Sequence, residues 1–336
     1  MRIAELETNE RVLVVAEVGN NHEGDPRVAG ELVEAAAAAG ADAVKFQTFR
    51  TDGFVSRADP ERYERLLSFE LSHEEFRGLA AQARSLGLLF ISTPLDLESA
   101  AFLRNLVDCY KIASGDNDFV QLLEAVAATG KPTFVSAGMS NLETIARAKR
   151  TIEDVWSSHG ISQELAVLHC VSAYPAPADE ASLAAIPFLA AELRCTVGYS
   201  DHTLGIDVAP LAVAAGARIV EKHFTLDKGY SSFRDHQLSA DPGELRQLVE
   251  EIRRVERVLG RAGKSPQPSE AETAVLARRS IVAASDLAEG HRVTEGDIAW
   301  LRPAGGLPPG EEAQVVGRVL KGALGRGEPI LPSNLH

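Results

Sequence analysis

With 336 residues, 45% of them hydrophobic and 24% charged, the chain can bury one large core and a smaller second one. A net charge of −14 with no basic patch to offset it excludes nucleic acid as a partner. Charges and prolines interrupt every apolar stretch before it could span a bilayer, so no membrane role is expected. The opening segment MRIAELETNERVL lacks a basic-then-apolar signal pattern, which makes the cytoplasm the expected compartment. Cys109, Cys170 and Cys195 stand singly in apolar runs and read as reduced core thiols, not as disulfides or zinc ligands.

From about residue 11 to residue 260, short β-rich apolar runs alternate with Ala-rich amphipathic stretches. In order, the runs are RVLVVAEVG, ADAVKFQTF, GLLFISTP, VDCYKIASG, KPTFVSAGM, LAVLHCVSAYP, RCTVGYSDH and ARIVEKHFTL. Helices are predicted between them over 26–39, 73–86, 120–129, 142–157, 181–193 and 205–215. Gly40, Gly87, Gly130 and Gly216 serve as helix-ending residues. Continuous apolar strands alternating with helices mean a parallel sheet covered on both faces. Eight such units predict a (β/α)₈ TIM barrel, and no Gly-x-Gly-x-x-Gly follows the first run to suggest a dinucleotide fold. A helix over 242–259 closes a catalytic domain spanning 1–260. A linker is expected over 261–277, followed by a small, mostly β domain over 278–336.

Each run passes from apolar to polar at its C-terminal end, the rim where barrel enzymes work. The ends supply Glu17, then Lys45 and Gln47, then Ser92, Thr93 and Asp96, then Lys111, Ser114 and Asp116. Ser136 follows, then His169, Ser172 and Tyr174, then Tyr199, Ser200, Asp201 and His202, and last Glu221, Lys222 and His223. His202 and His223, on adjacent strands, are candidate ligands for one divalent metal, with Asp201 or Glu221 orienting a ring. Mn²⁺, Mg²⁺, Co²⁺ and Zn²⁺ all suit such donors. Lys45 and Lys111 lie in buried strands and each needs an anion: a substrate phosphate or carboxylate, or a core carboxylate such as Glu17. A Schiff-base lysine is a third reading. Glu17 is either a general acid/base or the ion-pair partner of Lys45.

In combination these motifs are specific. Residues 17–24 (EVGNNHEG), 45–48 (KFQT), 92–94 (STP), 110–115 (YKIASG), 198–203 (GYSDHT) and 221–225 (EKHFT) resemble the sialic acid (nonulosonate) synthase family. So does the stretch from His169-Cys170 to Tyr174-Pro175. The tail, with 279–283 (RSIVA) and 301–303 (LRP), resembles that family's antifreeze-like (SAF) domain. The resemblance covers nearly the whole chain. It implies condensation of phosphoenolpyruvate (PEP) with an N-acylated hexosamine, N-acetylmannosamine or a diacetamido-trideoxyhexose, to give a nonulosonic acid and phosphate. It further implies Mn²⁺ or a similar ion on His202 and His223, and Glu17 as the acid/base. Lys45, Thr93, Ser114 and Ser136 would meet the phosphate, and Lys111, Ser172 and Ser200 the carboxylate. Gln47, Asp116, Tyr174 and Asp235 would contact the sugar. Arg302 would enter the site of a second subunit in a domain-swapped homodimer.

This chain departs from sialic-acid-forming members at Ser172, where asparagine is common, and at Asp116, where glutamate is common. Residues 232–236 read SFRDH against a frequent Gly-Pro-Asp form, and Ala304 replaces a glycine. These positions bear on the acceptor sugar. Two alternatives follow: a 3-deoxy-octulosonate-phosphate-type synthase taking a phosphorylated aldose, and a non-catalytic carbohydrate- or ice-binding protein.

Overall fold

A computed structural model describes residues 1–260 and 262–336, in two compact units, Met1–Gly260 and Arg261–His336. In the first unit eight parallel strands form a closed barrel. They are β1 (Leu13–Gly19), β2 (Ala43–Thr48), β3 (Leu89–Pro94), β4 (Cys109–Ile112), β5 (Thr133–Ser136), β6 (Leu165–His169), β7 (Thr196–Asp201) and β8 (Ile219–His223). Neighbours follow chain order, and β8 pairs with β1 to close the ring, with His223 opposite Glu17.

The covering helices are α1 (Pro26–Ala39), α2 (His73–Ser85), α3 (Leu97–Leu103), α4 (Val120–Ala127), α5 (Leu142–Ser158), α6 (Ala185–Leu193), α7 (Val208–Ala214) and α8 (Pro242–Leu259). Their starts follow local chemistry. Asp25 accepts from the Arg27 amide with Pro26 in the first turn, and Ser72 and Asp241 each close a reciprocal box with a glutamate three residues on. The four helix-ending glycines all have positive φ. Helix α6 begins four residues later than predicted, because Ser182 takes a left-handed conformation (φ 47°) and breaks the run. Helix α3 and a short helix Pro60–Phe69, neither predicted, are capped by Asp96 and Asp59.

Side-chain alternation along the strands explains the interior. Val15, Ala43, Ile91, Cys109, Phe134, Leu168 and Ile219 form one buried cluster inside the barrel. Gly198 completes that layer on β7, where an added Cβ would lie 2.5 Å from Leu168. The intervening residues, such as Val44, Phe46, Tyr110, Val167 and Val220, belong to the cluster that packs with the helices. An N-terminal hairpin, Arg2–Ile3 paired with Leu6–Glu7, adds Met1 and Ile3 to the interior cluster. All three cysteines are free thiols, with Cys109 and Cys170 buried.

The second unit contains an antiparallel pair, β9 (Ser280–Ala283) and β10 (Ile298–Leu301), over its own small core that includes Ile281, Val293, Val315, Leu320 and Ile330. Within the expected linker, Arg261 lies outside the described residues. Beyond it the stretch carries a single turn, Pro268–Glu270, and a helix, Ala271–Ala277. That helix joins the second unit's backbone network, since the Ala304 amide donates to the Val275 carbonyl at 2.7 Å.

Candidate active site

Two residues past the apolar interior layer, the same alternation places Glu17, Lys45, Thr93, Lys111, Ser136, Cys170, Ser200 and Glu221 on the inward face. One step thus turns an oily plug into a charged floor. Above it opens a cavity of about 300 Å³ whose lining includes Glu17, Lys45, Gln47, Thr93, Lys111, Ser114, Ser136, Ser172, Tyr174, Ser200, His202 and His223. Twelve of the fifteen residues expected to bind or react are therefore gathered in one place. Asp116 and Asp235 are not in that lining, although their neighbours Gly115 and Arg234 are. Arg302 lies in the second unit, just after β10, with an exposed side chain. Two larger hollows, about 440 Å³ beside Ala271–Ala277 and about 580 Å³ beside the N-terminal hairpin, gather no comparable set of buried polar groups.

The floor is a compact charge network. Lys45 Nζ lies 2.8 Å from Glu17 and 3.7 Å from Glu221, and donates to Thr93 Oγ1 at 3.2 Å. Lys111 Nζ donates to both Glu221 oxygens, at 3.0 and 3.1 Å, and Ser200 Oγ donates to the same carboxylate at 2.8 Å. The two carboxylates respond oppositely. Burial raises Glu17 to a pKa of about 7, with Lys45 opposing and Glu221 reinforcing. Burial also works against ionised Glu221, but Lys111 and Lys45 outweigh it and bring its pKa down to about 2. At neutral pH the floor holds one fixed anion, two ammonium groups and one carboxyl poised to exchange a proton. Burial raises Asp116 to about 6, helped by Asp118.

Beside the lysines lies a hydroxyl cradle. Ser114 Oγ accepts from the Gly138 amide at 3.1 Å, while Ser172 Oγ is buried without a partner. A Cβ on Gly138 would fall 2.2 Å from Ser172 Oγ and 2.6 Å from Ser114 Oγ, so only glycine leaves both hydroxyls in place.

On the opposite side, the His202 and His223 rings lie 5.6 Å apart between centroids, with Tyr174 at 4.3 Å from His202 and 5.9 Å from His223. His202 Nδ1 lies 2.7 Å from the Val171 carbonyl, which assigns its proton and leaves Nε2 with a free lone pair. His223 Nδ1 is buried with no hydrogen-bond partner. Burial lowers the pKa of both rings, and His202 adds to the effect on His223. Two neutral imidazoles with available nitrogens fit a divalent cation. Among the described residues no His, Cys, Asp or Glu cluster supplies three ligands, so water or substrate would complete the shell.

Asp201 and Glu221 do not orient these rings: the Val171 carbonyl holds His202, and Glu221 holds the lysines. Alternation explains the correction for Asp201, which faces away from the barrel axis with Lys222. There Lys222 Nζ donates to Asp201 Oδ2 at 3.0 Å and to the Thr203 carbonyl at 2.5 Å, and both charged side chains are fully buried. Ser92 also faces outward, bonded to Thr48 Oγ1 and the Phe46 carbonyl. Lys222→Met, which strands the Asp201 charge, is expected to lose about 3–5 kcal/mol of stability in denaturant titration. Asp201→Asn/Lys222→Met should lose less. Equal losses in both variants would show that the pairing itself contributes nothing.

Sequence reasoning missed Glu221 as the bridge between the lysines, although its inward parity with Ile219 and His223 carried that signal. It also missed Arg234, whose guanidinium lies 4.7 Å above the Tyr174 ring and lines the cavity. No local pattern announces that contact.

Residues 32–264 match the NeuB family and residues 278–336 match the SAF domain. The chain is 41% identical over 332 residues to the N,N'-diacetyllegionaminic acid synthase of Legionella pneumophila, across 95% of this chain and 93% of that one. It is 31% identical to a pseudaminic acid synthase of Campylobacter jejuni across 100% of both chains. The crystal structure of N-acetylneuraminic acid (sialic acid) synthetase from Leptospira borgpetersenii, in complex with citrate, matches with a TM-score of 0.76 at 34% identity. That match covers 81% of this chain and 94% of the other.

Proposed function

The chain belongs to the NeuB family, and from that membership we propose that it condenses PEP with the open-chain aldehyde of an N-acylated hexosamine, giving a nonulosonic acid and phosphate. The observation that carries this reading is the pair of buried lysines facing an unpaired hydroxyl and two available imidazole nitrogens across one small cavity. Lys45, Thr93, Ser114 and Ser136 bind the phosphate, and Lys111, Ser172 and Ser200 bind the carboxylate of PEP. His202 and His223 hold a divalent ion, Mn²⁺ with Mg²⁺ or Co²⁺ also admissible. When bound, that ion polarises the acceptor's carbonyl.

PEP carbon 3 forms the new bond to the aldehyde carbon as the carbonyl π bond breaks, its oxygen ends as a hydroxyl, and positive charge develops at carbon 2. Water adds at carbon 2, one of its protons balancing the one gained by the aldehyde oxygen. Glu17 takes that proton from the water. The tetrahedral adduct then collapses to the ketone as the carbon–oxygen bond to phosphate breaks, the second proton leaving with phosphate. The lysines hold PEP in line, and Glu221 fixes both ammonium groups before substrate arrives. Gln47, Tyr174, Asp116 and Asp235 contact the sugar, with Arg302 supplied by the second copy of a domain-swapped dimer working in the cytoplasm. No helix among the described residues is long and apolar enough to cross a membrane.

The test is phosphate release from PEP with a panel of sugars, followed by product mass. A product equal to acceptor plus the three-carbon PEP skeleton, formed from N-acetylmannosamine or a diacetamido-trideoxyhexose, is the expected result. Turnover only with a phosphorylated aldose lacking an N-acyl group would instead establish the octulosonate-phosphate-type reaction.

A further inference from the structure

The catalytic cavity, at about 300 Å³, sits at the bottom of the usual range for small-molecule pockets, about 300–1,000 Å³. Under the condensation reading it must admit two substrates. On the far side of Arg234 a second hollow of about 720 Å³ opens, and Arg234 lines both. We infer that this second chamber is an acceptor subsite that takes a second N-acyl substituent of the sugar, with Arg234 as the specificity-determining residue between the two spaces. The inference rests on the condensation reading and names its acceptor class.

Arg234 is held from two sides. Its guanidinium covers Tyr174, and its Nε donates to Asp235 Oδ1 at 3.2 Å. Beyond it, Phe69 and Phe233 meet edge to face at 5.2 Å and give the chamber an apolar wall. Arg62 and Arg65, three apart on Pro60–Phe69, share one helical face and line the same space. Arg27, Arg50 and Arg57 nearby in sequence are salt-bridged to acids, whereas Arg62 and Arg65 make no ion pair among the described residues; the Arg62 guanidinium rests 5.7 Å over the Phe54 ring, which leaves its N–H groups unpaired with any carboxylate. The chamber's carboxylate, Glu23, is engaged by His236 Nε2 at 2.9 Å and by Ser231 Oγ.

Free guanidinium donors beside an aromatic wall match an acylamide, whose carbonyl accepts from an N–H while its methyl packs on a ring. A hydroxyl or a phosphate would leave the rings unused. The loop carrying Arg234 is braced by the Glu23–His236 contact and by the Phe233 amide donating to Ser231 Oγ at 2.9 Å, so little ordering is required on binding.

The test compares kcat/KM for a diacetamido-trideoxyhexose with that for N-acetylmannosamine, in wild type, in Arg62→Ala/Arg65→Ala and in Arg234→Met. Arg62 and Arg65 are exposed, so their removal spares the fold. Methionine keeps an apolar stem over Tyr174. The wild-type ratio is expected to exceed one, and to fall about tenfold or more in each variant, the size of one lost charge-assisted hydrogen bond. A wild-type ratio at or below one, or a ratio that neither variant moves, overturns the subsite. A preference for a phosphorylated N-acylhexosamine that disappears in the double variant also overturns it, by making phosphate the occupant. Wild-type turnover with no N-acylated sugar at all sinks the condensation reading itself and the subsite with it.

Discussion

Glu17→Gln is expected to lower kcat by about 10²–10⁴-fold, the usual worth of a positioned general base, while leaving the fold intact. Glu17 is 2% exposed, and glutamine keeps its shape and its ability to accept from Lys45, 2.8 Å away. Removal of the ionisable oxygen therefore tests proton transfer and little else. The pH profile sharpens the test. Because burial, opposed by Lys45, raises Glu17 to about 7, the carboxyl is protonated below that pH and becomes a base above it. In wild type, kcat/KM for PEP should rise with pH through about 7, and the variant should lose that limb. A wild-type profile flat from pH 6 to 8 would remove Glu17 from the base role. Arg302→Ala should also be inactive alone, yet mixing it with Glu17→Gln should restore sites in which the intact Arg302 and the intact Glu17 come from different copies. Recovery in no mixture would argue against the swapped arrangement.

Chelation is expected to abolish turnover, and Mn²⁺ to restore it. The donors are in place: His223 Nδ1 is buried and unpartnered, and the Val171 carbonyl leaves His202 Nε2 free. Loss of the several kcal/mol that a bound cation contributes to charge stabilisation would drop the rate by at least about 100-fold. His202→Ala and His223→Ala should each weaken Mn²⁺ binding measured by calorimetry, a readout independent of turnover. Full activity of thoroughly chelated enzyme would end the two-histidine metal hypothesis.

The eight-fold alternation of apolar runs with amphipathic helices was legible because a barrel's buried strands need nothing beyond continuous hydrophobicity. The floor was legible for the same reason: Val15 to Glu17, Ala43 to Lys45 and Cys109 to Lys111 are each a step of two. Applied strictly, that parity also separates inward Glu221 from outward Lys222 and Asp201, which a census of strand ends by proximity alone runs together. Arg234 and the Pro60–Phe69 helix lay beyond reach, since their contacts join loops whose approach depends on the assembled barrel and not on periodicity. The late start of α6 turns on one residue, Ser182, in a conformation that serine seldom adopts.

The crowding at Gly138 has an evolutionary consequence. A side chain there would collide with two hydroxyls contributed by the segments that follow β4 and β6, so drift at that point requires simultaneous change at Ser114 or Ser172. The strand-end floor is thus expected to resist stepwise divergence, whereas the loop bearing Phe233 and Arg234 can vary one residue at a time. A lineage built on this scaffold would diversify its sugars at the periphery and inherit its handling of PEP nearly unaltered.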